Sequence, residues 1–195
     1  MPMGLALRDH NRYSYGDYRS WTDDTRWELI DGHAYAMAPA PTRQHQIVVG
    51  EVFRQIANRL DGHRWRPFIA PFDVRLPRAG ETDDRIDTVV QPDIVVVCDP
   101  AKRDDRGSRG APDWVIEVLS LATADHDHRV KRALYERVGV QEYWLLHPTD
   151  RTLHVYRLDA GAYGKPDAFD FSGTVTSTAA DGIPVDLSQV AAALA

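Results

Sequence analysis

Two short apolar runs limit what this chain can become: Asp93-Ile-Val-Val-Val-Cys98 and Trp114-Val-Ile-Glu-Val-Leu119. Both are rich in β-branched residues and too short for a buried helix. Continuous apolar runs of this length are strands covered on both faces. A sheet covered on both faces needs partner layers on each side, so the chain is an α/β or α+β domain. The second run carries a carboxylate. Successive strand residues point to opposite faces. Glu117 therefore shares its face with Val115 and Leu119, while Trp114, Ile116 and Val118 occupy the other. Burying an unpaired carboxylate costs several kcal/mol. Glu117 is thus protonated, paired with a cation or bound to a metal, unless its strand lies at an edge and the side chain points outward.

The rest of the chain supplies the partner layers. Ser14 and Asp17 form a capping box for a short helix. Asp31-Gly32 joins Trp27–Ile30 to His33–Met37 as a hairpin. Residues 44–60 repeat with a helical period, with Val48, Val52, Ile56 and Leu60 on one face. Phe68–Leu76 reads as a strand. Residues 125–138 read as a helix capped by Asp125 and stopped by Gly139. Glu142–His147 and Leu153–Leu158 read as a second hairpin. A weak strand near 173–178, a turn at Asp181-Gly182 and a helix after Asp186 follow. Residues 77–90 and 99–112 read as surface loops. The expected architecture is a mixed β-sheet flanked by helices. It lacks the regular strand–helix alternation of a Rossmann fold, and no GxGxxG or GxxxxGK[ST] motif occurs. A length of 195 residues without repeats suits one domain over 1–195.

Composition narrows the setting. No run approaches the roughly 18 apolar residues of a membrane span. The first residues show no signal-peptide pattern. Cys98 is the lone cysteine, so no disulfide can form within the chain, and a cytoplasmic location is expected. A net charge of −6 argues against a basic nucleic-acid coat, yet allows a nuclease with a local basic groove.

Three residues stand out chemically. Asp93 opens one apolar run and Glu117 sits inside the other. On adjacent strands the two carboxylates suit Mg²⁺ or Mn²⁺, an ion that can activate water against a phosphodiester. The alternative is a structural ion pair between Glu117 and a buried arginine. Lys131 follows in the helix, four residues after Asp127. As an exposed i,i+4 pair the two would contribute only a few tenths of a kcal/mol. However, only Lys102, Lys131 and Lys165 among the 23 basic residues are lysines, and lysine is a compact, tunable point charge. In Asp125-His126-Asp127-His128, helical residues two apart point about 200° apart, so they do not chelate one ion together. His45 caps the 44–60 helix or approaches the carboxylates. Glu51 reads as solvated, and Glu28 could face in or out. Tyr13, Tyr15, Tyr18, Trp21 and Trp27 suit core packing or an interface, with base stacking as the alternative.

Six segments occur in order: Glu28-Leu-Ile-Asp-Gly32, Met37-Ala-Pro-Ala-Pro-Thr-Arg-Gln-His45, Gln91-Pro-Asp-Ile-Val-Val-Val97, Gly110-Ala-Pro-Asp-Trp-Val-Ile-Glu-Val-Leu-Ser120, Asp127-His-Arg-Val-Lys131 and Tyr135-Glu-Arg-Val-Gly-Val-Gln-Glu-Tyr-Trp144. With them the chain resembles the Uma-two family of putative restriction endonucleases, within the PD-(D/E)xK nuclease superfamily. The resemblance implies a restriction-endonuclease-like core over about 27–158. It implies a Mg²⁺ (or Mn²⁺) ion held by Asp93 and Glu117, and DNA as substrate. The superfamily's lysine two residues after the glutamate is Leu119 here. Lys131, with Asp127, is the implied substitute. His45, Gln91 and Asp127 match positions near the site, as substrate contacts or supports. A homodimer would suit cleavage of both DNA strands. The competing reading is a catalytically weak or inactive nuclease-fold module that binds nucleic acid or a protein partner. The absent lysine and the acidic charge favour it, and the retained carboxylates disfavour it. RNA or single-stranded substrates stay open.

Overall fold

The computed structural model describes residues 7–37, 41–120 and 123–195. The first six residues, and residues 38–40 of the segment ending at His45, lie outside the described residues.

Ser14 caps α1 (Tyr15–Ser20) through the expected reciprocal bonds with Asp17. Asp31 and Gly32, both at positive φ, turn β1 (Trp27–Ile30) into β2 (His33–Ala36). Thr42 caps α2 (Arg43–Arg59), which buries Val48, Val49, Val52 and Ile56. Then come β3 (Arg66–Ile69), β4 (Val74–Arg75), β5 (Val89–Val90) and β6 (Ile94–Val97). Two short strands, β7 (Arg103–Asp104) and β8 (Gly107–Arg109), precede β9 (Trp114–Val118). A π-helical segment, His126–Lys131, leads into α3 (Arg132–Val138), and Gly139 ends it in the left-handed region. The chain closes with β10 (Glu142–His147), β11 (Thr152–Asp159), β12 (Ala162–Tyr163), β13 (Asp167–Asp170), β14 (Thr174–Thr176), β15 (Pro184–Asp186) and α4 (Leu187–Ala193).

The strands form mixed sheets. One runs β2-β1-β5-β4-β8-β7. The larger runs β12-β11-β10-β9-β6-β3, with β13 also on β11. The two apolar runs lie side by side as antiparallel β6 and β9, and β10 runs parallel to β9 on its other edge. Both are central strands, which removes the edge-strand alternative for Glu117. The predicted split of faces holds. Trp114, Ile116 and Val118 pack with α2 and α4 residues in one cluster. Val115 and Leu119 pack with α3 and with Ile30, Val74 and Val90 of the smaller sheet in another. The fold is thus α+β, with mixed sheets flanked by helices. The aromatic amino-terminal residues pack together around Tyr15, Leu29 and Ile86, as core packing predicts.

Three expectations need correction. Phe68–Leu76 is not one strand. β3 ends at Ile69, and after Ala70-Pro71 the chain enters the other sheet as β4. The predicted loops 77–90 and 99–112 contain β5, β7 and β8, strands of two or three residues that are too short to show a period. Asp125 does not cap the 125–138 helix, because its own backbone is already helical and its side chain makes no capping bond. The first half of that helix is a π-turn, whose wider i→i+5 bonding is common at functional sites.

Candidate active site

Strand register builds the site. Ile94 stands opposite Ile116 and Val95 opposite Val115, which brings Asp93 beside Glu117. The Asp93 N–H donates to Glu117 Oε2 at 3.3 Å, and the Val118 N–H donates to Asp93 Oδ2 at 2.8 Å. Glu117 is 4% exposed. The π-turn lies over the face that carries it. Lys131 Nζ donates to Glu117 Oε1 at 2.9 Å, lies 2.9 Å from Glu28 Oε1 and 3.7 Å from Asp127 Oδ1. The Tyr135 hydroxyl also donates to Glu117 Oε1, at 3.2 Å. The freed carbonyl of Asp127 accepts from Tyr143 Oη at 3.2 Å and from the Arg132 N–H.

The Asp127–Lys131 pair is therefore not an exposed helix pair, since both residues are buried. Nor is Glu117 paired with a buried arginine. The buried arginine is Arg75, which belongs to Asp83 and Asp104. Thr42 caps α2 on the His45 N–H, which aims the imidazole into the site. His45 Nε2 lies 3.2 Å from Asp93 Oδ2, and its buried Nδ1 has no partner among the described residues. Gln91 supports rather than joins the cluster. Its N–H donates to Glu28 Oε1 at 2.8 Å, while its side chain accepts from Arg26 and donates to Asp73.

Sequence reasoning left Glu28 undecided and did not single out Tyr135. Glu28 faces inward because both faces of β1 are covered. Tyr135, four residues after Lys131, sits one helical turn along the same face, a spacing that could have revealed it. Glu51 pairs with Arg54 and Gln55, away from the site.

Charge in the cluster is unbalanced. Glu28, Glu117 and Asp127 surround one lysine, and Asp93 stands beside Glu117. Burial pulls the lysine toward neutrality, but Glu117, Glu28 and Asp127 outweigh it and hold Lys131 firmly charged. Burial, assisted by the neighbouring carboxylates and opposed by Lys131, holds the Glu117 carboxyl well above its usual range. Burial likewise pushes Asp127 up to about 6. His45 is raised despite its burial, because it hydrogen-bonds Asp93. All of these groups except Tyr135 border a cleft of about 710 Å³, whose rim includes Arg26 and His147–Asp150.

A hard divalent cation fits this donor set. Asp93 keeps Oδ1 free of hydrogen bonds among the described residues, and its side chain is 20% exposed. Glu117 Oε2 accepts only the long bond from Asp93 N–H. Two carboxylate oxygens with room for water match the ligand preference of Mg²⁺ or Mn²⁺. Positive charge there would also offset the excess of acids.

A sequence profile of the Uma2 family, described as "Putative restriction endonuclease", matches residues 15–193. No curated protein matches the chain. Among solved structures, the crystal structure of a putative nuclease belonging to DUF820 from Anabaena variabilis is similar, with a TM-score of 0.73. It is 21% identical and aligns over 93% of this chain and 99% of that one. At that identity the likeness speaks for the fold.

Proposed function

The chain belongs to the Uma2 family of putative restriction endonucleases, and from that premise we propose that it is a metal-dependent endonuclease hydrolysing DNA phosphodiester bonds. The observation that carries the reading is the meeting of Asp93, Glu117 and Lys131 at one cleft, from three elements far apart in sequence. Asp93 and Glu117 would hold Mg²⁺ or Mn²⁺. When bound, such an ion supplies Lewis-acid stabilisation and a more acidic water.

The chain's own residues do the rest. Lys131 is locked in its charged form, so it does not serve as a base. Its fixed charge stabilises the negative charge that develops on the attacked phosphate. This fills the place that Leu119 leaves vacant. Asp127, with its carboxyl near 6, can hold or release a proton close to neutral pH. His45 orients Asp93. Gln91 holds Glu28 through its backbone, and Glu28 in turn holds Lys131. Arg26 at the rim is a phosphate contact. We further propose that residues 1–195 act as one domain, in the cytoplasm, and that a two-fold dimer presents two clefts to the two strands. Among the described residues no helix is long and apolar enough to cross a membrane.

The test is nicking of supercoiled plasmid with Mg²⁺ or Mn²⁺, alongside calorimetric titration of each ion. Asp93→Ala and Glu117→Ala should each lower nicking by about 100-fold or more and weaken ion binding, with circular dichroism unchanged. Full activity in either variant would sink the mechanism. A second reading draws on the complete engagement of Lys131 by carboxylates: the cluster could be structural, in a module that binds nucleic acid or protein without cutting. Salt-dependent DNA binding with no ion uptake and no cleavage would select it.

A further inference from the structure

Three histidines gather next to the cleft, and the proposed reaction does not use them. Strand alternation on β10 puts His147 on the face of Tyr143 and Leu145. On β11, His154 pairs in register with Leu145 and shares its face with Tyr156. The π-turn covers this face and brings His128 over both. His128 Nε2 lies 3.1 Å from His147 Nε2, and one ligand nitrogen from each of the three rings lies within 4.8 Å of the others. All three residues are half-buried.

We propose that His128, His147 and His154 form a second metal site, for a zinc-class divalent ion, separate from the carboxylate site. Imidazole nitrogens bind zinc at about 2 Å, so nitrogens on one ion stand roughly 3 to 4 Å apart. The trio, with 3.1 Å between two of its nitrogens and one ligand nitrogen per ring within 4.8 Å of the others, stands close to that spacing. Imidazoles suit Zn²⁺, Co²⁺ or Ni²⁺, whereas carboxylates and water suit Mg²⁺. The two sites therefore select different ions. His147 Nδ1 lies 3.8 Å from Asp150 Oδ2, a carboxylate placed behind a ligand imidazole as in many zinc sites. Burial, reinforced by the neighbouring imidazoles, holds His128 and His147 below the usual histidine range, which keeps them neutral and ready to bind. Three imidazoles leave one tetrahedral position for water. The ion would pin the π-turn to the β10–β11 hairpin. Because Asp127 and Lys131 ride on that turn, the ion would also steady the cleft's cation.

Cobalt absorption spectroscopy on the full-length chain tests this without relying on activity. The expected result is one equivalent of Co²⁺ with visible bands of a four-coordinate site, displaced by Zn²⁺ but not by excess Mg²⁺, and a higher melting temperature with Zn²⁺. His154→Asn should weaken Co²⁺ binding by at least ~10-fold, and Asp93→Asn should leave it unchanged. His128→Asn, on a different element, should behave like His154→Asn, so a folding failure in one variant does not remove the test. Absence of Co²⁺ uptake by the wild type would overturn the proposal and leave a simple N–H···N hydrogen bond between His128 and His147. Uptake that persists in both histidine variants and vanishes in Asp93→Asn would overturn it equally.

Discussion

Glu117 on β9 and Glu142 on the neighbouring β10 are both buried strand glutamates, three register positions apart and on opposite faces of the sheet, yet they meet opposite treatment. Glu142 is fully buried and is surrounded by donors. Trp144 Nε1 reaches its Oε1 at 2.5 Å. The Thr178 N–H, the Thr178 hydroxyl and the Ala179 N–H reach its Oε2 at 2.7, 2.9 and 3.1 Å. No other carboxylate shares that pocket among the described contacts, and the residue ties the β14 region to the large sheet. Glu117 has Lys131, Tyr135 and one long N–H bond, and it faces Glu28, Asp93 and Asp127. Apart from the Arg157 guanidinium, 3.9 Å from its Oε1, the donors around Glu142 are neutral, as in a structural anchor. Those around Glu117 are shared among too many acids, and the group borders a cleft. Two buried carboxylates of one type thus separate into a satisfied one and one whose negative charge is left for something else to balance.

Substitutions can break or sharpen this contrast. The largest effect should come from Lys131→Met. It strands Glu28, Glu117 and Asp127 together, so urea unfolding at pH 8 should show a loss of about 3–5 kcal/mol, with nicking abolished. Wild-type stability in this variant would mean that the acids are not held charged by the lysine. Next comes Glu142→Gln, whose amide meets donors that want an acceptor. A loss of roughly 2–3 kcal/mol is expected, with unchanged nicking per folded molecule. Loss of cleavage at full stability would erase the distinction between the two glutamates.

Asp127→Asn acts through pH. The unfolded carboxyl releases its proton near 3.8, and the folded one near 6. Between these values the folded form binds more protons, so stability falls as pH rises from about 4 to 6. The variant should remove that slope and be about 1–3 kcal/mol more stable at pH 7. A pH profile of unfolding that matches the wild type would contradict the assigned burial cost. The smallest stability change belongs to Glu117→Gln, within about 1 kcal/mol of the wild type. Removing a crowded charge compensates for weakening the bond to Lys131. Its nicking should nevertheless vanish, and a severe loss of stability would make Glu117 an anchor like Glu142.

Much of this was legible in the chain. Period-two alternation put Glu117 on the Val115–Leu119 face, and the two short β-branched runs read as strands covered on both faces, with an edge position for Glu117 left open. The scarcity of lysine drew attention to Lys131. Other features were not legible. Glu28 sat in a hairpin whose two faces both proved to be covered, and β1 alone does not show what covers it. Asp125 looked like a cap, but the π-turn begins one residue later with Asp125 already helical. His128 was weighed only within its own segment, where neighbours two apart diverge, and nothing in the local pattern pointed to His147 or His154. Their meeting depends on the register of β10 with β11 and on the helix that crosses above.

The sequence by itself determined the two apolar strands, the face that Glu117 takes and its need for a partner. These follow from backbone geometry and from the cost of burying charge, and both act over a few residues. The tertiary structure alone decided who meets whom: Lys131 with Glu117 and Glu28, Glu142 with Thr178, and His154 with His128. Those meetings follow from strand order and from the crossover of the π-turn and α3, and local pattern carries no record of either. Face is a local property of the chain, whereas partnership is a property of packing.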